Sequence, residues 1–178
     1  MLITSPKLKA ILLYFCENTD PRFLGKVKLM KLFYFLDFGY VKKYGMPITG
    51  DVYVNLEHGP IPSAIKNLVD SASDDIDHSL LSDTIQIERP ENTYMQRIVP
   101  LRKFSTQDAK LFTETEMVEL QHVCQRFAHT NTDAIEKASH GEAPWRLTKE
   151  LEVIPFSLAA EDKDSRVTKE DIELFSQL

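Results

Sequence analysis

Hydrophobic residues recur at helical spacing near the start of the chain. Leu8, Ile11, Leu12 and Phe15 follow that spacing and predict a first helix. We expect the helix to begin at Ser5-Pro6, because serine caps unpaired amides and proline suits the first helical position.

The strongest helical pattern lies between Gly25 and Gly45. These glycines enclose 19 residues without proline, and hydrophobic side chains cover most sides of the predicted helix. The pattern therefore predicts a long central helix that other elements surround.

Asp37 falls on the apolar side of this helix. A carboxylate in such a place must be paired, hydrogen-bonded or protonated. The candidate partners are His58, Tyr44 and the indole N–H of Trp145. A satisfied structural role is the first interpretation, and a catalytic role is the alternative.

One narrow stripe of the same helix escapes the apolar arc. We call it the α2 strip, and it consists of Lys28, Lys31, Phe35, Phe38 and Lys42. It is either a solvated edge with aromatic rings under a neighbouring element, or a contact strip for an acidic or apolar partner. Aromatic side chains carry much of the energy of protein interfaces, which supports the second interpretation.

The remaining pattern mixes short strands and helices. It predicts strands near 47–56, 84–88 and 94–101. It predicts a rigid turn at 58–62 and a second turn at 139–145. It also predicts helices near 63–71 and 131–138, one after the capping box Thr113–Glu116, and a last one after Thr168–Asp171. The strands at 84–88 and 94–101 would form a hairpin. The predicted fold class is α+β: a mainly helical single domain around a central buried helix, with a small antiparallel sheet of about three short strands.

Composition limits the class of protein. The 178 residues are 43% hydrophobic and 27% charged, as in ordinary globular domains, which excludes global disorder. The sequence has no run of about 18 apolar residues, the length that a membrane span requires. Cys16 and Cys124 cannot build a disulfide framework or a CxxC zinc clamp, and both fall on apolar stripes. With no signal peptide at the N-terminus, we expect a cytoplasmic protein with reduced thiols.

Charge is distributed unevenly along the chain. The formal net charge is −6, with +5 over residues 1–45 and −11 over residues 46–178. The acidic total argues against a general nucleic-acid binder. A basic head on an acidic body suggests a partner surface at the head, and an autorepressor that uses this head is a further alternative.

Candidate chemistry is sparse. The sequence has no glycine-rich phosphate loop, no GxSxG, no HExxH and no EF-hand loop, so no cofactor is expected. The enzymatic alternative is a small hydrolase that uses His58, His140, Glu142 and Asp37, with or without a metal. The favoured interpretation makes both histidines turn residues that bond nearby backbone.

Three segments in order resemble one known family. They are KLMKLFYF at 28–35, with Tyr44-Gly45 closing the helix, EHGPIP at 57–62 and SHGEAPW at 139–145. Together they resemble the Panacea domain, the family of SocA-like antitoxins and phage-associated proteins, over about residues 5–150. The matching positions are Lys28, Leu32, Tyr34, Gly45, His58, Gly59, Pro60, Ser139, His140, Glu142, Pro144 and Trp145. Met30, Asp37 and Ala143 depart from the family pattern.

The resemblance implies a binding module without catalytic chemistry. It would be the antitoxin of a bacterial or phage toxin–antitoxin pair that neutralises its toxin by direct contact, with delivery of the toxin to a Clp-type protease as an open addition. Neither a membrane nor nucleic acid is expected as a partner, and no metal is expected.

The resemblance and the helical pattern together divide the candidate residues into two groups. The expected toxin-binding residues are Lys28, Lys31, Phe35, Phe38, Lys42, His58 and Pro60. The expected scaffold residues are Asp37, Tyr44, Gly59, Ser139, His140, Glu142, Pro144 and Trp145. Residues 1–150 would form the Panacea-like domain. Residues 151–178 would form an extension with a short helix, docked on the same domain.

Overall fold

The computed structural model describes residues 4–75, 77–91 and 93–175. Its helices are α1 (Ser5–Glu17), α2 (Lys26–Tyr44), α3 (Ser63–Asp74), α4 (Thr106–Ala109), α5 (Glu114–Phe127), α6 (Thr132–His140), α7 (Ala143–Arg146) and α8 (Lys169–Phe175), with a 3-10 helix at Phe156–Glu161. Its strands are β1 (Tyr53–Leu56), β2 (Gly59–Pro62), β3 (Ile85–Glu88), β4 (Arg97–Pro100) and β5 (Val153–Ile154). The predicted α+β class with a mainly helical body is confirmed.

Helix α2 is the axis of the fold, as its pattern predicted. It ends at Gly45, whose φ of +80° lies in the left-handed region that glycine adopts without a steric penalty. Lys42 and Lys43 occupy the last turn, where cations interact favourably with the helix dipole. Helices α3, α5 and α6, strand β2 and the 3-10 helix all pack against α2. Within the described ranges, no helix is both long enough and apolar enough to cross a bilayer.

The main sheet has the strand order β2-β1-β5 and is antiparallel throughout. Tyr53 of β1 lies opposite Pro62 on one side and Ile154 on the other. The prediction of a rigid turn over 58–62 is wrong, because β2 occupies most of that segment. The reversal needs only Glu57 and His58. Prolines are tolerated in β2 because it is an edge strand, whose outer side requires no backbone donors.

A separate hairpin joins β3 to β4 and confirms the predicted pairing. Ile87 lies opposite Ile98, and a bridge from Gly25 to Arg97 ties the hairpin to the start of α2. The pattern had extended the second strand back to Tyr94, whereas β4 begins only at Arg97.

Most predicted helix starts are confirmed by their caps. Thr113 and Glu116 form the capping box of α5, Asn131 caps α6, and Thr168 exchanges hydrogen bonds with Asp171 at α8. Helix α1 begins at Ser5, as predicted, but the capping role given to Ser5 is wrong. The N-cap is Thr4, which makes no side-chain cap, and Ser5 is already helical.

Residues 151–175 pack on the same core as the rest of the chain. Strand β5 adds to β1, the 3-10 helix lies against α2, and α8 lies against the 3-10 helix. The ring of Phe156 is 4.9 Å from that of Phe38. The end of the chain thus covers one side of the central helix.

Candidate functional site

All five residues of the α2 strip are buried. Their exposed fractions are 4% or less. The expectation that they form a surface strip is therefore wrong. The physical reason is that α2 is surrounded, so that its polar stripe meets other elements of the fold and not water.

Two lysines of the α2 strip donate to backbone carbonyls. Lys28 Nζ donates to the carbonyl oxygens of Ala128 and Thr130 at 3.3 and 2.6 Å, just after the end of α5, where carbonyls lack helical partners. Lys31 Nζ donates to the carbonyl oxygen of Pro60 at 2.9 Å. Burial lowers the pKa of Lys28 to about 8 and that of Lys31 to about 7.

The two phenylalanines of the α2 strip belong to the aromatic core. The ring of Phe35 lies 4.4 Å from that of Phe127, and the Arg126 guanidinium lies 4.9 Å from the Phe35 ring. Phe38 packs edge-on against Tyr53 at 5.2 Å. Both rings support the fold from inside.

Lys42 is enclosed by three carboxylates. Its Nζ lies 3.1 Å from Glu142, 3.0 Å from Asp162 and 3.2 Å from Asp164. Burial would lower the pKa of Lys42, but the carboxylates, Glu142 foremost, outweigh it and raise this pKa. The Asp162 side chain is only 10% exposed, although it lies in a charged stretch of the chain.

The Tyr34 hydroxyl completes this cluster by donating to Glu142 Oε2 at 3.0 Å. Burial raises the pKa of Glu142, against the lowering effect of Lys42. Burial, reinforced by Glu142, also raises the pKa of Tyr34 well above its ordinary value, so the phenol remains a donor. Glu142, which lies just before α7, thus links that segment to α2 through Tyr34 and Lys42.

Several motif residues meet around Gly59. We call this group the Gly59 cluster, and it consists of Lys31, Gly59, Ser139, His140, Pro144 and Trp145. The φ of Gly59 is +92°. A Cβ at this position would lie 2.8 Å from Ser139 Oγ, 2.9 Å from Lys31 Nζ and 3.1 Å from His140 Nε2. These three side chains therefore converge on one point, and only glycine leaves room for them.

The rest of the Gly59 cluster comes from α6 and α7. Ser139 Oγ donates to the carbonyl oxygen of Glu136 at 2.7 Å, and the His140 ring stacks on Trp145 at 3.9 Å. Burial lowers the pKa of His140, which favours a neutral imidazole. His140 Nε2 and Trp145 Nε1 are buried and make no hydrogen bond to the described residues. Pro144 is buried in the first turn of α7.

The residues of the hydrolase alternative are engaged in different contacts. His58 is exposed, and its Nδ1 lies 3.4 Å from Glu136 Oε1. His140 stacks on Trp145, whereas Glu142 contacts Lys42 and Tyr34. The carboxylate near both histidines is Glu136, whose charge acts to raise the pKa of His140 against the effect of burial. Within the described ranges, no group of three or more His, Cys, Asp or Glu is placed to hold a metal ion.

Asp37 is satisfied by partners that the sequence did not suggest. It accepts hydrogen bonds from the backbone amides of Ile48 and Thr49, at 2.9 and 2.7 Å, and from the hydroxyls of Thr49 and Tyr53. The predicted partners His58, Tyr44 and Trp145 are wrong. Burial raises the pKa of Asp37 to about 6, although all these donors act to lower it. Tyr44 is instead 40% exposed and packs on the ring of Tyr40.

Both cysteines are buried, in agreement with their place on apolar stripes. Cys16 and Cys124 are free and buried. Burial raises the pKa of each thiol to about 12, so both stay protonated and unreactive.

The basic side chains of the head make contacts with oxygen atoms of the fold. Each of its eight Lys and Arg side chains contacts a carboxylate or a backbone carbonyl. These residues are Lys7, Lys9, Arg22, Lys26, Lys28, Lys31, Lys42 and Lys43. The charge asymmetry along the sequence is therefore no guide to the surface of the folded protein.

One open surface feature was missed by the sequence analysis. A groove of about 460 Å³ lies between the start of α2, strand β2 and the segment before β4, and we call it the Val27 groove. Its apolar lining includes Val27, Met30, Ile61 and Met95. No single helix or strand carries these residues, so no periodic pattern could have revealed them.

The comparison with protein families settles which group this fold represents. The family model for antitoxin SocA-like proteins with a Panacea domain matches residues 29–146, well over half of the chain. The chain belongs to this family. The match includes most of the α2 strip and the whole Gly59 cluster, and it confirms the resemblance drawn from the three motifs. No curated protein and no solved structure matched the chain.

Proposed function

We propose that this Panacea protein is the antitoxin of a toxin–antitoxin pair, and that it neutralises its toxin by direct binding inside the bacterial cell. The single observation that carries the proposal is membership of the antitoxin SocA-like family. Neutralisation by binding requires a complementary surface and no catalytic chemistry.

The placement of the motif residues supports a binding role. Lys31 and Ser139 are fully buried and bonded to backbone, and Gly59 is required by its conformation. These residues organise the fold from inside. The toxin would then contact surface side chains outside the α2 strip, and of the seven residues first assigned to toxin binding only His58 is exposed.

Growth rescue tests the proposal. The neighbouring reading frame is induced in a naive bacterium with and without this protein. We expect the neighbour alone to stop growth, this protein to restore it, and the two chains to co-purify. A harmless neighbour, or a toxic one that this protein neither rescues nor binds, would refute the proposal.

Direct neutralisation and delivery to a protease predict different amounts of toxin. If binding alone neutralises the toxin, its level in rescued cells stays constant, and the purified complex is inactive without any protease. If this protein acts as an adaptor to a Clp-type protease, the toxin level falls on co-expression and recovers in cells that lack the protease. We expect the first result.

A further inference from the structure

The Val27 groove combines an apolar floor with a basic rim. Val27 is 43% exposed on α2, and Met30 lies one helical turn further along, at the base of the groove. Ile61 of β2 and Met95 line the other walls. Methionine side chains are flexible and polarisable, so they adapt to apolar side chains of different shapes.

The chain before β4 forms the outer wall of the groove. Tyr94 is fully exposed and lines the groove directly. An exposed tyrosine beside an apolar depression is typical of interface anchors, because its rigid ring buries a large area at small entropic cost.

The charges at the rim are unbalanced. Lys26 and Lys66 both line the groove, and both ammonium groups contact the single carboxylate of Asp70. Two cations share one anion, which leaves one positive charge uncompensated. Thr132, the first residue of α6, lines the same groove.

We infer that the Val27 groove binds a segment of the toxin that presents apolar side chains next to a carboxylate. The apolar floor would take the hydrophobic side chains, and Lys26 and Lys66 would pair with the acid. This inference rests on the proposed antitoxin function and assigns its contact surface. A groove of about 460 Å³ has the capacity of an ordinary ligand pocket, enough for a few side chains.

The test compares two valines that are exposed on helices. Val27→Asp places a negative charge on the floor of the groove, where it would repel an acidic segment. Val118→Asp makes the same change on α5, where Val118 is 60% exposed and lies outside the groove. Binding of the co-purifying toxin is measured by titration calorimetry, and neutralisation by growth rescue. We expect Val27→Asp to weaken binding by about tenfold or more, as for an interface hot spot, and Val118→Asp to bind like the wild type.

A second variant separates a loss of binding from a loss of folding. Tyr94→Ala removes a side chain that is fully exposed, so it should leave the melting temperature unchanged while weakening binding. The rim predicts that wild-type binding weakens as salt rises, and that this dependence becomes smaller in Lys66→Ala.

The outcomes separate the groove from the function. If the wild type neutralises the toxin and both Val27→Asp and Tyr94→Ala do so equally well, the groove assignment is overturned and the antitoxin function stands. If the wild type itself does not neutralise the toxin, both the proposed antitoxin function and the groove assignment are wrong. If the wild type is a dimer that Val27→Asp converts to monomer without affecting neutralisation, the groove binds a second copy of this chain, and the toxin assignment is wrong.

Discussion

Lys31 offers the sharpest test of the buried polar axis. The substitution Lys31→Met keeps a long unbranched side chain but removes the amine. In the folded protein the pKa of Lys31 is about 7 because of burial, whereas an unfolded chain holds lysine near about 10.4. Between these values the unfolded state binds a proton that the folded state does not, so the stability of the wild type rises with pH.

The size of the effect follows from the two pKa values. At pH 7 the desolvated amine costs the wild type up to about 4 kcal/mol, and this cost shrinks by about 2 kcal/mol at pH 9. The variant loses the hydrogen bond to Pro60, worth about 1 kcal/mol. We therefore expect Lys31→Met to be more stable than the wild type by about 2–3 kcal/mol at pH 7, and this advantage to shrink by about 2 kcal/mol at pH 9.

Urea unfolding of both proteins at pH 7 and pH 9 measures this difference. Titrating groups that Lys31 does not influence contribute equally to both proteins and cancel in the comparison. Lys31 does act to lower the pKa of His140, but that pKa lies below its ordinary value and therefore below the range from pH 7 to pH 9. Lys137→Met, at an exposed position on α6, is the matched control and should show the same small change at both pH values. An advantage for Lys31→Met that is equal at the two pH values, or larger at pH 9, would refute the account of Lys31 as a desolvated amine.

Three further predictions concern the residues that hold the fold. Gly59→Ala should lower the free energy of unfolding by about 1–2 kcal/mol or more, because alanine disfavours a φ of +92°. Gly141→Ala, at a φ of −75°, should cost less, and thermal melts compare the two variants. Asp51→Ala should cost about 1–2 kcal/mol, seen as a lower urea midpoint, since the Asp51 carboxylate accepts from two amides in the first turn of α3. Lys42→Met should lower the free energy of unfolding by about 3 kcal/mol or more, because it leaves Glu142 and Asp162 as uncompensated, mostly buried carboxylates. It should also speed proteolysis within 151–175. Unchanged cleavage there would contradict this role for Lys42.

Local signals predicted the elements well. The glycines at 25 and 45, and the caps Thr113–Glu116 and Thr168–Asp171, act through neighbours in sequence, so their effect can be inferred from a few adjacent residues. The strand β2 was missed for the opposite reason. Its prolines suggested a turn, and only pairing with β1 reveals an edge strand.

Partners distant in sequence could not be predicted. Asp37 was correctly recognised as a carboxylate in need of donors, but its donors come from the loop after α2, which the pattern gave no reason to fold back. The Asp162 carboxylate likewise lies in a charged stretch typical of a solvated loop. Its side chain is mostly buried, with Lys42 facing it from the central helix and the Ala143 amide donating to it.

The α2 strip shows why burial was misjudged and what the lysines accomplish. A stripe of lysines is expected at the surface, either solvated or in contact with a partner, because burying an amine is costly. The polar stripe of a surrounded helix must contact other elements, and each amine here contacts oxygen atoms. Lys28 contacts carbonyls beyond the end of α5, Lys31 contacts that of Pro60 in β2, and Lys42 contacts the carboxylate of Asp162 in the C-terminal segment. Apolar side chains at these positions would attract many alternative packings, whereas an amine accepts only an arrangement that supplies oxygens. We therefore expect the cost of burying these lysines to favour one placement of three separate elements around a single helix.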